Sequence, residues 1–240
     1  MKYHHCGQLE ETGLVTAFFT SREVTCRKNR AEDYEKIAKD IGIGKDAFVI
    51  SDQHHSTNII CVGKDEQRIG EPVDGLVTDI PGTALCTTEA DCVPVYLLDV
   101  KRKVVGMVHS GWRGTAAGIA PKAVALMKDR YSSDPNDIIV YYGPCICREC
   151  YEVGDELISE FEPFYGASLA EKYFCPKERG KYLLDMKAAI TDSLTATGVP
   201  GENITDPGYC TFEDKRFHSY RRDCSKIDRM ATVIMLKEGL

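Results

Sequence analysis

Two residues in this 240-residue chain have the chemistry and the setting to act together. Cys92 stands in Ala90-Asp91-Cys92-Val93-Pro94, at the head of an apolar run. His109 closes the next apolar run, in His109-Ser110-Gly111-Trp112-Arg113-Gly114. A thiol beside an imidazole allows two kinds of chemistry. One is a nucleophile with its base, as in cysteine hydrolases. The other is a pair of metal ligands. A third residue bears on the choice. The chain has six histidines, and His54-His55 follows another short apolar run. The separations are too long for a zinc-finger loop, so a shared site must be assembled from separate strands. One thiolate and two imidazoles leave a fourth position open, which is the arrangement of a catalytic zinc. Three residues with no common role remain an alternative on spacing alone.

The elements that must position these residues follow from periodicity. Val93 to Val100 and Lys103 to His109 read as one hairpin with a charged tip. Leu14 to Phe19, Ala47 to Ser51, Asn58 to Val62, Val73 to Ile80 and Ile138 to Tyr142 read as further strands. Arg229 to Leu236 is an unbroken apolar run that fits a central buried strand. Gly63 to Gly70 reads as a polar hairpin-like segment, and Asn203-Ile204 and then Gly208 to Cys210 as a late strand. Helical spacing covers residues 30–41, Thr115 to Arg130, Val153 to Tyr165 and Tyr182 to Thr197. Strands and helices are mixed throughout, without linker or repeat. The expectation is one α/β domain over residues 1–240, with mixed sheets layered with helices like a sandwich.

Composition bounds the partners. Hydrophobic residues are 43% and charged residues 28%, enough for a sizeable core. The 30 basic and 37 acidic residues give a net charge of −7, which argues against a nucleic-acid surface. No run of about 18 apolar residues occurs, so no membrane helix is expected. Met1-Lys2-Tyr3-His4-His5 is not an apolar leader, so a reducing cytoplasm is expected. There the 11 cysteines are core residues, ligands or reactive thiols. Cys6, Cys26, Cys61, Cys86, Cys175, Cys210 and Cys224 are expected as small buried hydrophobes. Cys145, Cys147 and Cys150 differ: their Cys-x-Cys-x-x-Cys spacing suits a soft-metal or redox cluster as readily as three loop thiols.

Four motifs occur in order: Ala90 to Pro94, His109 to Gly114, Gly143-Pro144 with Cys150-Tyr151-Glu152-Val153, and Phe217 through Asp223. Together they resemble the laccase-domain family, once called multicopper polyphenol oxidases. That family is described as purine nucleoside phosphorylases with adenosine deaminase activity, and some members are called peptidoglycan editing factors. The resemblance runs from about Phe18 to Leu236. It implies a transferase and hydrolase acting on adenosine, inosine or S-methyl-5'-thioadenosine, with phosphate as co-substrate. It also implies a His, Cys, His metal set. Cys92 and His109 match directly, and His55 matches the histidine of a Gln-Val-His-Gly motif, read here as Gln53-His54-His55-Ser56. Alternation points the two adjacent histidines to opposite faces, so one faces the metal. The implied cofactor is Zn²⁺, with copper possible.

Within that resemblance the neighbouring residues acquire candidate roles. Arg113 and Arg222 are candidates for phosphate, because a guanidinium fork matches its oxygens. Asp91 is a candidate general acid/base, or an orienter of a ligating histidine. Trp112, the only tryptophan, can stack on a base or pack in the core. An oxidase with several coppers needs more histidines than six. A zinc deaminase of free bases needs a His-x-Glu that the chain lacks. A Cys92/His109 hydrolase and a non-catalytic metal-binding protein stay open.

Overall fold

The computed structural model describes residues 1–24, 26–27, 31–63, 72–224 and 228–239. Its strands are β1 (Tyr3–His5), β2 (Val15–Thr20), β3 (Phe48–Ile50), β4 (Ile59–Cys61), β5 (Gly75–Thr78), β6 (Ala84–Glu89), β7 (Val93–Asp99), β8 (Val104–Ser110), β9 (Ile138–Tyr142), β10 (Glu152–Gly154), β11 (Phe174–Pro176), β12 (Lys181–Leu184), β13 (Ile204–Thr205) and β14 (Met230–Leu236). The helices are α1 (Gly7–Glu10), α2 (Ala31–Ile41), α3 (Trp112–Ala116), α4 (Ile119–Tyr131), α5 (Glu156–Tyr165), α6 (Ala167–Lys172), α7 (Met186–Ala196) and α8 (Tyr220–Asp223).

Three sheets form among the described residues. One has five strands in the order β1-β2-β14-β6-β3, one has six in the order β13-β9-β7-β8-β5-β4, and β10-β12-β11 make a small third. Side-chain alternation shows how they stack. Along β7, Val95 and Leu97 join a core with Ala123 and Met127 of α4 and Ile190 of α7. Their neighbours Tyr96 and Leu98 join a second core with Phe19 of β2, Leu85 of β6 and Ile234 of β14. The far side of the five-stranded sheet contributes Phe18, Cys86 and Val233 to a third core, with Tyr34 and Ile37 of α2. The layers are therefore helix, sheet, sheet, helix. Strands covered on both faces need no polar face, which is why β7 and β14 read as continuous apolar runs. The α/β sandwich expected from the sequence is the fold found.

The hairpin of β7 and β8 is antiparallel, with Pro94 opposite His109 and Asp99 opposite Val104. Other expected elements differ. The helix expected over Thr115 to Arg130 is two helices. Gly118 adopts a left-handed φ of 70° between them, and a Cβ there would strike the Phe164 ring. The helices expected over 153–165 and 182–197 each begin as a strand, β10 and β12. In the second case Asp185 caps α7 by accepting from the Ala188 amide at 2.9 Å, which fixes the start at Met186, four residues late. The late strand forms at Ile204–Thr205 as β13, while Gly208 to Cys210 make only an isolated bridge between Cys210 and Cys145. The polar segment expected over 63–70 lies outside the described residues from 64 onward. Cys175 and Cys224 are exposed and Cys61 is half-buried. Cys175 alternates outward from buried Phe174 on a short edge strand, and Cys224 caps α8.

Candidate metal centre

The two-residue register of the hairpin sets the site. Pro94 opposite His109 leaves Cys92, just before β7, facing the exit of β8. On the other side of β8, Gly75 pairs with Val108, so Asp74 lies beside His109. The His109 amide donates to the Asp74 carbonyl at 2.8 Å, and His109 Nδ1 donates to Asp74 Oδ1 at 2.8 Å. A carboxylate acceptor at Nδ1 leaves the Nε2 lone pair of His109 for the site. His109 is 4% exposed and Asp74 is fully buried.

Asp74 also builds the loop that brings His55. Its carboxylate accepts from the amides of His54 (3.2 Å), His55 (3.0 Å) and Ser56 (2.7 Å), and from the Ser56 hydroxyl (2.6 Å). His55 has φ of 58°, a left-handed conformation that costs a non-glycine residue about 1 kcal/mol. Three amides converging on one carboxylate hold it there. Gln53 pins the same loop to β6, donating to the Thr88 carbonyl at 2.8 Å and accepting from the Thr88 amide at 2.9 Å. His54 turns away, with Nε2 3.2 Å from Asp52 Oδ2.

The result is a compact triangle. His55 Nε2 is 3.8 Å from Cys92 Sγ, and the two imidazole rings lie edge to face at 4.9 Å. One ligand atom from each of His55, Cys92 and His109 lies within 4.8 Å of the others. Tetrahedral zinc with ordinary bond lengths separates sulfur from nitrogen by roughly 3.5 Å, so the His55–Cys92 edge needs only a few tenths of an ångström of closure. Gly111 leaves the space open. A Cβ on it would sit 2.7 Å from His55 Cδ2 and 3.1 Å from Cys92 Sγ. Its φ of −75° suits any residue, so the requirement here is volume. Gly111→Ala is expected to fold normally yet weaken zinc binding by about 10- to 100-fold, measured by competition with a chromophoric chelator.

Electrostatics point the same way. Burial raises the Cys92 thiol, but His109 and His55 outweigh it and bring the pKa down to about 6. Burial opposes charge on His109, yet Cys92 and Asp74 lift it to about 10. Without metal the pair favours a thiolate beside a protonated imidazole; the thiolate is ready to ligate, and a metal would take the place of the proton on His109, because a ligating histidine is neutral. For Asp74 burial is again the opposing effect, and hydrogen bonds from His109 and Ser56 hold its carboxyl well below the usual range. The donor set fits a metal: one thiolate, two imidazoles, and a carboxylate fixing the tautomer of one of them.

The remaining candidates separate into two groups. Trp112 and Arg113, at the start of α3, line an open cleft of about 350 Å³ with His55, Ser56, Thr57 and Glu160. Trp112 is half-buried against the helical core, and the Arg113 guanidinium lies 4.2 Å over its ring. Asp91 and Arg222 are engaged in hydrogen bonds outside the cleft. Asp91 accepts from the Thr211 hydroxyl at 2.6 Å and the Arg221 amide at 2.7 Å, so both carboxylate oxygens are used in fixing the turn before Cys92. It has φ of 94°, a strained turn held by these bonds. The carboxylate hydrogen-bonded to His109 is Asp74. All three guanidinium nitrogens of Arg222 are engaged by the carbonyls of Thr211, Phe212 and Phe217 and by Asp223, leaving no fork for phosphate.

Glu89, at the end of β6, is a further buried group that the sequence did not single out. Thr232 donates to its Oε2 at 2.7 Å, and its Oε1 has no partner among the described residues. Burial raises its pKa from 4.5 to about 7, against the opposing effect of His109. The folded state then holds a proton that the unfolded chain releases between those values. Its contribution to stability falls as pH rises from about 4.5 to 7, by roughly 3 kcal/mol. Glu89→Gln is expected to flatten that slope, measured by denaturant unfolding across the window.

A layered sandwich that gathers His, Cys and His beside an open cleft is the arrangement of a laccase-domain type protein. The sequence pattern of the multi-copper polyphenol oxidoreductase laccase family matches residues 22–237, and the chain belongs to that family. Among its relatives is the purine nucleoside phosphorylase YlmD of Geobacillus stearothermophilus, 34% identical over 223 residues, covering 88% of this chain and 80% of that protein. The adenosine deaminase RL5 of an unknown prokaryotic organism is 35% identical over 195 residues, covering 78% and 74%. The solved structure of the Bacillus licheniformis protein YfiH superposes with a TM-score of 0.89 at 30% identity, over 98% of this chain and 97% of that one.

Proposed function

We propose that the chain, acting as one domain, is a purine nucleoside phosphorylase that also deaminates adenosine. The observation that carries this reading is the His55–Cys92–His109 cluster opening on the cleft that holds Trp112 and Arg113. The names of the relatives support the substrate class. Adenosine, inosine and S-methyl-5'-thioadenosine are the expected nucleosides. His55, Cys92 and His109 would hold Zn²⁺, which supplies Lewis acidity when bound.

This chain's own residues do the positioning. Asp74 keeps His109 in the ligating tautomer, and Asp91 aims Cys92. Trp112 presents an apolar ring to the purine. Arg113 receives phosphate through its fork, and Glu160 accepts from ribose hydroxyls. In phosphorolysis a phosphate oxygen bonds to C1′ of the ribose as the bond from C1′ to the purine nitrogen breaks. The departing base takes a proton from water in the open cleft. All 11 cysteines are free thiols, which fits a reducing cytoplasm. Among the described residues no helix is long and apolar enough to cross a membrane.

The test is product analysis with zinc-loaded protein. Adenosine with phosphate should give adenine and ribose 1-phosphate, and adenosine without phosphate should give inosine. Failure of both with loaded protein would reject the reading. Arg113→Ala is expected to raise KM for phosphate by about 10- to 100-fold with a smaller change for nucleoside, with Arg113→Lys intermediate, measured from initial rates at varied phosphate.

A further inference from the structure

A second group of thiols lies away from the cleft. Cys147, Cys150, Cys210 and Glu213 each present a ligand atom within 4.8 Å of the others. The sequence spacing pointed to Cys145 as the third sulfur, but Cys145 is fully buried in the helical core. Cys210 takes its place. The backbone explains the exchange. Cys145 and Cys210 are bridged, with the Thr211 amide donating to the Cys145 carbonyl at 2.9 Å. This lays the loop after β9 alongside the loop before α8. A turn over Arg148–Cys150 then folds Cys150 back, its amide donating to the Cys147 carbonyl at 3.1 Å. The Cys147 amide points at Cys210 Sγ at 3.4 Å, a contact that a sulfur carrying negative charge accepts well.

We infer that Cys147, Cys150, Cys210 and Glu213 form a second, structural site for a soft divalent metal of the zinc class, clipping two loops together. The chemistry favours this ligand. A Cys-x-x-Cys turn plus one distant cysteine is a common way to gather thiolates around zinc, and a carboxylate oxygen completes four-coordination. Sulfurs on tetrahedral zinc stand about 3.8 Å apart, so the group must contract by about 1 Å at most. Cys147 and Cys150 are half-buried and Glu213 is exposed, which leaves an entry path. The clip has a mechanical consequence: Cys210 adjoins Thr211, whose hydroxyl holds Asp91, and Asp91 precedes Cys92. Metal at the clip would brace the turn that presents the thiol of the first site.

The site is independent of the proposed activity, and so is its test. Full-length protein purified anaerobically with zinc is expected to carry about two equivalents per chain. Cys147→Ser/Cys150→Ser should keep about one, and His55→Ala/His109→Ala should also keep about one. With cobalt as the probe, thiolate-to-metal absorption should stay close to that of three thiolates in the histidine variant and fall to that of the single Cys92 thiolate in the cysteine variant. Chelation should lower Tm by several degrees in the wild type and in the histidine variant, and by less in the cysteine variant. One zinc in the wild type that disappears entirely with the histidine substitutions would overturn the inference. So would a Cys147–Cys150 disulfide in the anaerobically purified, metal-free protein.

Discussion

His55→Ala, Cys92→Ala and His109→Ala are each expected to lower kcat/KM for phosphorolysis by about 10³-fold or more, and by nearly the same factor. The equality is the informative part. Three ligands to one ion act as a unit, so removing any one empties the site and removing two is hardly worse. A nucleophile–base dyad predicts otherwise. It needs Cys92 and His109 but has no use for His55, which is exposed and meets the sulfur only at 3.8 Å. Steady-state rates with adenosine and phosphate, alongside zinc content, separate the two. Full activity of chelator-treated His55→Ala protein, abolished by alkylation of Cys92, would favour the dyad. Because His55 lies at the surface, loss of fold is not a competing explanation for that variant.

The site was legible in the sequence to the extent that it is local. Cys92 and His109 flank a hairpin whose register is fixed by its own alternation, so their proximity follows from the strands alone. The layered α/β fold followed too, from apolar runs that could only be buried on both faces. Asp74 was not legible. It sits inconspicuously in Val73-Asp74-Gly75, and its role arises from the pairing of β5 with β8, a contact between segments distant in sequence. Gly111 was hidden by a motif in which several glycines look alike, and only the space beside His55 distinguishes it. Cys145 was preferred to Cys210 because spacing reports neighbours along the chain, whereas the bridge from β9 turns Cys145 inward. Gly118 and Asp185 misplaced helix ends for one reason: apolar periodicity continues past both, and the break is made by backbone conformation and a cap. Asp91 and Arg222 were drawn toward catalysis by their motifs, while their hydrogen bonds spend them on holding loops.

Asp74→Ala is expected to be the most damaging substitution outside the ligands themselves. Asp74 is fully buried and accepts from three consecutive amides, a hydroxyl and the His109 ring. Removing the carboxylate leaves those donors unpaired, at a cost of about 3 to 5 kcal/mol. It also frees His55 from its left-handed conformation and His109 from its tautomer, lowering zinc affinity by about 10- to 100-fold. Asp74→Asn separates the two effects. It keeps the shape and one acceptor oxygen, so more of the stability should survive. Its amide cannot anchor an imidazole N–H as a carboxylate does, so the loss of zinc affinity should remain. The pH dependence carries a definite sign. The folded carboxyl lies below its ordinary value of 3.8, so its stabilising contribution is complete above that pH and is lost as pH falls toward the folded value. The stability gap between wild type and Asp74→Ala, measured by denaturant unfolding of zinc-free protein, should therefore be widest near neutrality and narrow in acid. A gap that stayed constant down to about pH 2 would mean that the carboxylate's charge contributes little and that its shape alone organises the loop.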